Sequence, residues 1–354
     1  MTNFCTLFDH NYLSRGLVMY ESLKANCSDK FKLYILATND IAYKWLNETP
    51  QKNVQACSLE EIKAAYPVLE RLQKERSATE FNWTLSSFSI QFFLKKFKLP
   101  SVTYLDADLR FYANPKVLFD GLKKESVIIT PHNYTPRYDQ SATSGRYCVQ
   151  FMHFKNDKAG NEVLEWWRAR CEECCSGEPK DGKFGDQKFL DDWLSRFPGK
   201  IHEENRIGCG VAPWNVQKYD LTKDGAGFEV TDKITKVTDK LVFFHFHGFK
   251  EALSKDGALY WKLNDYDYSD FVMKSLYRPY TKELERLAPS LPKRNYAPYE
   301  KPKATSAPRL FYRTLRRSAK FFINSFLFWK TFKAVKSECE AEQSKALSLV
   351  FTNA

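Results

Sequence analysis

Over the first hundred residues, apolar β-prone runs alternate with stretches of helical spacing, and one glycine, Gly16, falls among them. The runs Phe4 to Phe8, Phe31 to Leu36 and Val54 to Cys57 have strand length, while Leu13, Leu17, Tyr20 and Leu23 recur at helical spacing between the first two. Ser58 opens a further helix, with Glu60 and Glu61 near the positive end of its dipole. Another helix is predicted from about Trp83 to Lys98, stopping before Pro100, and the strand Val102 to Leu105 follows it. This βαβ succession predicts a mostly parallel sheet with helices on both faces and ligands at its carboxyl edge. The scarcity of glycine excludes a P-loop, a G-x-G-x-x-G dinucleotide turn and a glycine-rich nucleotidyltransferase loop from this part of the chain.

The stretch Tyr104-Leu-Asp-Ala-Asp-Leu-Arg-Phe111 reads as a strand that delivers Asp106 and Asp108 to its carboxyl end. Hard cations such as Mg²⁺ and Mn²⁺ take oxygen ligands, and Mg²⁺ is commonly held by one or two carboxylates with phosphates and water completing its shell. An aspartate-nucleophile phosphatase would carry Thr or Val where Arg110 stands, so the pair reads as a metal clamp for phosphate chemistry. The structural alternative is a polar turn after a buried strand.

Beyond the motif, Val127 to Thr130, Tyr147 to Phe154 and the aromatic run Leu241 to Phe246 read as strands, and Asp157 to Cys174 and Asp186 to Leu194 as helices. The length of 354 residues fits two domains or one large α/β domain with appendages. Nine cysteines, an odd number, behind an N-terminus without a secretory signature predict a reducing cytoplasm. Cys171, Cys174 and Cys175 lack a second pair at zinc-finger spacing and read as helix-borne thiols.

Charge is concentrated near the C-terminus. From Lys293 to Lys336 twelve Lys and Arg face one acid, Glu300, so this segment carries the whole net charge of +11 and the remainder is neutral. A neutral folded part argues against nucleic acid as a partner. Residues 286–310 hold five prolines and read as a linker. In 311–354, Phe311, Leu315, Phe322, Phe326 and Trp329 share one helical stripe opposite Arg313, Arg316, Arg317 and Lys320. The apolar centre from Phe321 to Trp329 is far shorter than the roughly 20 residues that span a bilayer, so 311–336 is predicted to lie on an anionic membrane surface. Docking on the folded domain is the alternative.

Four motifs stand in order: Asp9-His-Asn-Tyr12 after the first strand, Tyr-Leu-Asp-Ala-Asp at 104–108, Asp186-Gln187, and His245-Phe-His-Gly-Phe-Lys250. Together they resemble the GT-A glycosyltransferases, specifically glycosyltransferase family 8 and its bacterial relatives, over about residues 3–250. The resemblance implies a Rossmann-like α/β GT-A domain at 1–285 that moves a sugar from a nucleotide diphosphate, a UDP-sugar, to a glycan or lipid-linked glycan with retention of configuration. It implies that Asp9 and Asn11 bond the uridine and Tyr12 stacks on it, that Asp106, Asp108 and His245 hold Mn²⁺ or Mg²⁺, and that Lys250 reaches the diphosphate. His247 is the lesser candidate ligand. Asp186 would position the sugar and Gln187 would present its amide near the reacting face; a helix N-cap is the structural alternative for Asp186. With the basic tail, this predicts a cytoplasmic enzyme peripheral to the inner face of a bacterial cell membrane.

The sequence departs from the family at two places. Cys148-Val-Gln150 stands where an Asn-Ala-Gly strand commonly lines the sugar pocket, and Ser86, Ser87 and Ser89 stand where an arginine is common. His132 and Trp214 read either as acceptor-side residues or as buried structure. Two rival functions are an inverting GT-A transferase using Asp191 or Asp192 as base, and a non-catalytic scaffold that binds membrane or polyanion through the tail.

Overall fold

The computed structural model describes residues 1–179, 181–253, 259–293 and 297–298. Met1–Asn133 with Gln140–Tyr299 forms one compact unit; Tyr134–Asp139 and Glu300–Ala354 are assigned to a second. Of the second unit the described part is Tyr134–Asp139, a 3₁₀ turn over Pro136–Tyr138 in which Tyr138 N–H donates to Thr135 C=O at 2.7 Å. The helix expected at 311–354 and most of the proline-rich linker lie outside the described residues.

The first unit is built on a seven-stranded sheet. Its strands are β1 (Thr2–Phe8), β2 (Phe31–Ala37), β3 (Val54–Ser58), β4 (Ser101–Leu105), β6 (Val127–Pro131), β7 (Tyr147–Lys155) and β8 (Ile201–Glu203), with β5 (Leu109–Phe111) outside it, and the order is β3-β2-β1-β4-β7-β6-β8. Pairs β3–β2, β2–β1, β1–β4 and β6–β8 are parallel, whereas β7 runs antiparallel to both β4 and β6. The fold is thus α/β with a mostly parallel central sheet. Successive side chains leave opposite faces of a strand. Cys5, Leu7, Tyr34, Leu36 and Tyr104 therefore join one core with Phe88, Phe93 and Trp167, while Phe4, Phe8, Leu33, Ile35 and Leu105 join another with Leu13, Phe111 and Phe243.

Local chemistry sets the helices. Helix α1 (Leu13–Asn26) follows the turn after β1. Helix α2 (Asp40–Glu48) is capped by Asn39, and α3 (Leu59–Ala65) opens on a reciprocal capping box between Ser58 and Glu61. After α4 (Val68–Glu75) comes α5 (Ala78–Lys96), five residues longer at its start than the sequence reading because Ser77 and Glu80 form a second capping box. Helix α5 is enclosed along most of its length; the Ser87 and Ser89 hydroxyls, buried in it, donate back to the carbonyls of Thr84 and Ser86.

Two expected elements are shorter than predicted. The segment 186–194 is a 3₁₀ turn, Lys188–Asp192, followed by one α-turn, Trp193–Arg196, rather than a helix opened by Asp186. The Asp186 carbonyl accepts the Trp167 indole N–H at 2.8 Å instead of a helical amide, and Gly185 before it sits at φ +52°. Within 241–246 the strand is confined to Phe243–His245, because Leu241 N–H and Val242 N–H donate to the carbonyls of Phe228 and Gly208. Following β9 (Cys209–Val211), β10 (Tyr219–Asp224), β11 (Gly227–Asp232) and β12 (Thr238–Lys240), this strand is β13; it pairs antiparallel with β5 and parallel with β9. Helix Arg278–Leu287 then closes the unit, with Tyr280, Leu284 and Leu287 buried, so the first two residues of the segment read as linker finish a packed helix. Among the described residues no helix is long and apolar enough to cross a membrane.

Candidate metal centre and its surroundings

The pairing of β13 with β5 places His245 opposite Leu109, one residue past Asp108. The main chain extends this register, Phe246 N–H donating to Asp108 C=O at 2.9 Å, while Asp106 N–H donates to Gln150 C=O of β7 at 2.9 Å. Asp106, Asp108 and His245 thereby converge, each offering one ligand atom and all of these within 4.8 Å of one another. His245 Nε2 lies 3.0 Å from Asp108 Oδ1 and 3.7 Å from Asp106 Oδ2. Ligands at right angles around an ion with bonds of about 2.1 Å sit about 3 Å apart, so this set fits a small divalent cation. Two carboxylates and an imidazole also match the mixed oxygen and nitrogen preference of Mn²⁺.

The other ring nitrogen is held from behind. His245 Nδ1 lies 2.8 Å from Gln150 Oε1, and Gln150 Nε2 donates to Thr130 Oγ1 at 3.3 Å. Such a partner on the second nitrogen fixes the tautomer and ring orientation of a metal-binding histidine. Gly210 makes room: at φ +129°, a Cβ there would lie 2.9 Å from Gln150 Nε2. Trp214 walls the cluster with its ring edge-on to both His245 and His247, at centroid distances of 5.3 Å. Its indole N–H and the Asn215 amide donate to His132 C=O, each at 2.8 Å. His247 is exposed and does not join the cluster.

Charge in the cluster is unevenly divided. Burial pushes the Asp106 carboxyl up to about 6, against the pull of His245. Burial acts on Asp108 too, but the adjacent His245 outweighs it and lowers that carboxyl to about 2. Burial would keep His245 neutral; the carboxylates, Asp108 foremost, raise its pKa well above the usual value. A cation entering here would displace that proton.

The turn after β1 lies within electrostatic reach of the cluster. Asp9 Oδ1 accepts from Asn11 N–H at 2.9 Å and Oδ2 from the Asn11 amide at 2.8 Å, a closed turn that carries the 41% exposed Tyr12. The carboxylates of Asp108, Asp9 and Asp106 all bear on the Tyr12 hydroxyl. Lys250 opens strand β14 (Lys250–Leu253), exposed and near enough to His247 for its charge to act on that ring. Gly248, between them, sits at φ +68°, and a Cβ there would collide with Asn264.

Asp186 is buried at 5% exposure, and burial followed by the charge of Asp106 raises its carboxyl to about 7, opposed by hydrogen bonding to Ser86. It therefore neighbours the metal cluster electrostatically without belonging to it. Gln187 Nε2 donates to Ser144 C=O at 2.9 Å, which fixes its amide. Asp191 accepts from Arg146 N–H and from Lys188 Nζ at 2.7 Å, and Asp192 pairs with Arg196. Arg15 beneath Tyr12 escaped the sequence reading; Gln150 is named there on the strand that lines the sugar pocket, but not as the partner of His245. Strand alternation could have placed Gln150 on the Cys148 face, but nothing in the sequence paired it with His245.

No protein-family model matches the chain. It is 29% identical over 292 residues to the uncharacterized protein YfnD of Bacillus subtilis strain 168, covering 80% of this chain and 89% of the relative. A second protein of that strain, YfnF, also uncharacterized, is 28% identical over 256 residues, covering 70% and 81%. The solved structures it resembles include glycosyltransferases: galactosyltransferase LgtC in complex with donor and acceptor sugar analogs (12% identity, TM-score 0.46, 83% of this chain and 98% of that one) and mouse xyloside xylosyltransferase 1 (18%, 0.40, 60% and 87%).

Proposed function

We propose that the chain is a metal-dependent GT-A glycosyltransferase that moves a sugar from a UDP-sugar to a glycan or lipid-linked glycan with retention of configuration. The observation that carries this reading is the convergence of Asp106, Asp108 and His245 at the carboxyl end of β4, beside the Asp9–Tyr12 turn. When bound, Mn²⁺ or Mg²⁺ would offset the negative charge that grows on the departing diphosphate. Asp106, Asp108 and His245 hold it, with Gln150 keeping His245 Nε2 turned toward the carboxylates. Tyr12 offers a ring face to the base, Asp9 and Asn11 bond the uridine, and Lys250 meets the diphosphate. Asp186 bonds the sugar hydroxyls, and the Gln187 amide stands at the reacting face, where positive charge builds on the sugar carbon.

Asp191 and Asp192, the candidate bases for an inverting route, are paired with Lys188 and Arg196, and the anomeric configuration of the product, read by NMR, tells retention from inversion. The basic stripe of 311–336 supports attachment to an anionic membrane on the cytoplasmic side. Thermal stability measured with UDP, GDP and CMP, each with and without Mn²⁺, tests the donor, since a ligand of the native state stabilises it by RT ln(1 + [L]/Kd). The reading expects a metal-dependent shift with UDP; a shift with GDP or CMP alone would overturn the uridine assignment.

A further inference from the structure

We propose that Arg15 is a positioning residue for the nucleobase: it covers one face of the Tyr12 ring and holds that ring so that the opposite face receives a planar base. This rests on the donor reading above.

Arg15 is buried at 5% exposure in the first turn of α1, with its Cζ 4.4 Å from the Tyr12 ring centroid. Nη1 donates to Asn11 C=O at 3.3 Å and Nη2 to Phe249 C=O at 3.0 Å. One guanidinium thus ties the turn that bears Tyr12 to the loop that follows His247. Burial opposes its charge, and Tyr12, Tyr280, Glu251 and Asp108 favour it. With Arg15 over one face of its ring, Tyr12 still keeps 41% of its surface exposed.

The arrangement needs arginine. A planar fork can lie flat on an aromatic ring while donating to two carbonyls in different directions; an ammonium on a flexible stem cannot do both. Position 15 therefore acts on a ligand through Tyr12, with no contact of its own required. A residue that merely stabilised the fold would weaken binding regardless of what occupies position 12.

The test is a double-mutant cycle read by calorimetric titration of UDP in the presence of Mn²⁺. Arg15→Lys should weaken UDP about tenfold with Tyr12 present and about twofold or less in the Tyr12→Ala background. Equal losses in both backgrounds, or none in the first, would overturn the proposal. Arg15→Gln provides the same comparison if the lysine variant does not fold. If the unaltered protein binds no UDP, the donor reading falls and this inference with it; if it binds UDP and Arg15→Lys binds equally well, this inference alone falls.

Discussion

Gln150 and His245 meet through a 2.8 Å contact between the amide oxygen and Nδ1, and this contact leaves Nε2 to face both Asp106 and Asp108. A side chain 95 residues away in sequence has become the support of the imidazole.

Replacing Gln150 with Leu keeps comparable bulk and removes the acceptor. Loss of such a supporting bond typically costs 10–100-fold in metal affinity or activity, so Mn²⁺ affinity should drop by about tenfold. Titration of Mn²⁺ followed by electron paramagnetic resonance checks this, and Gln150→Glu, which retains an acceptor, should lose less.

Asp106→Ala and Asp108→Ala should each abolish the Mn²⁺-dependent part of nucleotide stabilisation while leaving a folded protein. Melting curves with UDP and graded Mn²⁺ report it directly; persistence of the metal-dependent shift in both variants would mean that the ion binds elsewhere.

Metal binding should weaken progressively as pH falls, because the ion must displace the His245 proton and, through about 6, Asp106 takes up a second. The stability of the metal-free protein carries a separate signature from Asp186. Its carboxyl is raised from 3.8 to about 7, so between those values the folded state binds more protons than the unfolded one, and stability falls as pH rises through that window. Asp186→Asn removes this burden, amounting to a few kcal/mol by order of magnitude, and should melt higher than the unaltered protein at pH 8 but not at pH 4. The same variant should lose sugar transfer, which separates the cost of the carboxylate from its use.

Truncation after Pro308 removes most of the basic segment and should release the protein from vesicles rich in anionic lipid, with nucleotide binding retained. Co-sedimentation at low and high salt measures it, since screening weakens surface attraction between charges. Equal sedimentation of the truncated and full chains would refute a membrane role for the tail.

Much of the sheet was legible in the sequence because β1, β2 and β4 are buried on both faces for most of their length and read as largely apolar runs, while the half-buried edge strand β3 still shows Val54, Ala56 and Cys57. The acidic pair was legible because it directly follows such a run. What escaped depends on contacts distant in sequence. The Asp186 turn reads as a helix start, whereas its carbonyl is taken by the Trp167 indole from a distant helix and Gly185 before it has positive φ. Gln150 is 95 residues from His245, and Arg15 lies 234 residues from Phe249, so neither partnership leaves a local pattern. The strands from Ile201 to Lys262, three to six residues long, were also missed for the most part, since runs this short between polar turns carry little signal of their own.

The main-chain bond from Phe246 N–H to Asp108 C=O joins the two arms of the candidate metal centre. Phe246 is fully buried and stacks on Tyr280 at a 3.7 Å centroid distance, so its amide is shielded as well as bonded. Its proton should exchange with deuterated solvent only when the β5–β13 ladder separates, at an opening free energy near that of global unfolding. The ligand cage would then belong to the slowest-exchanging layer of the protein, persisting through motions that let substrates come and go.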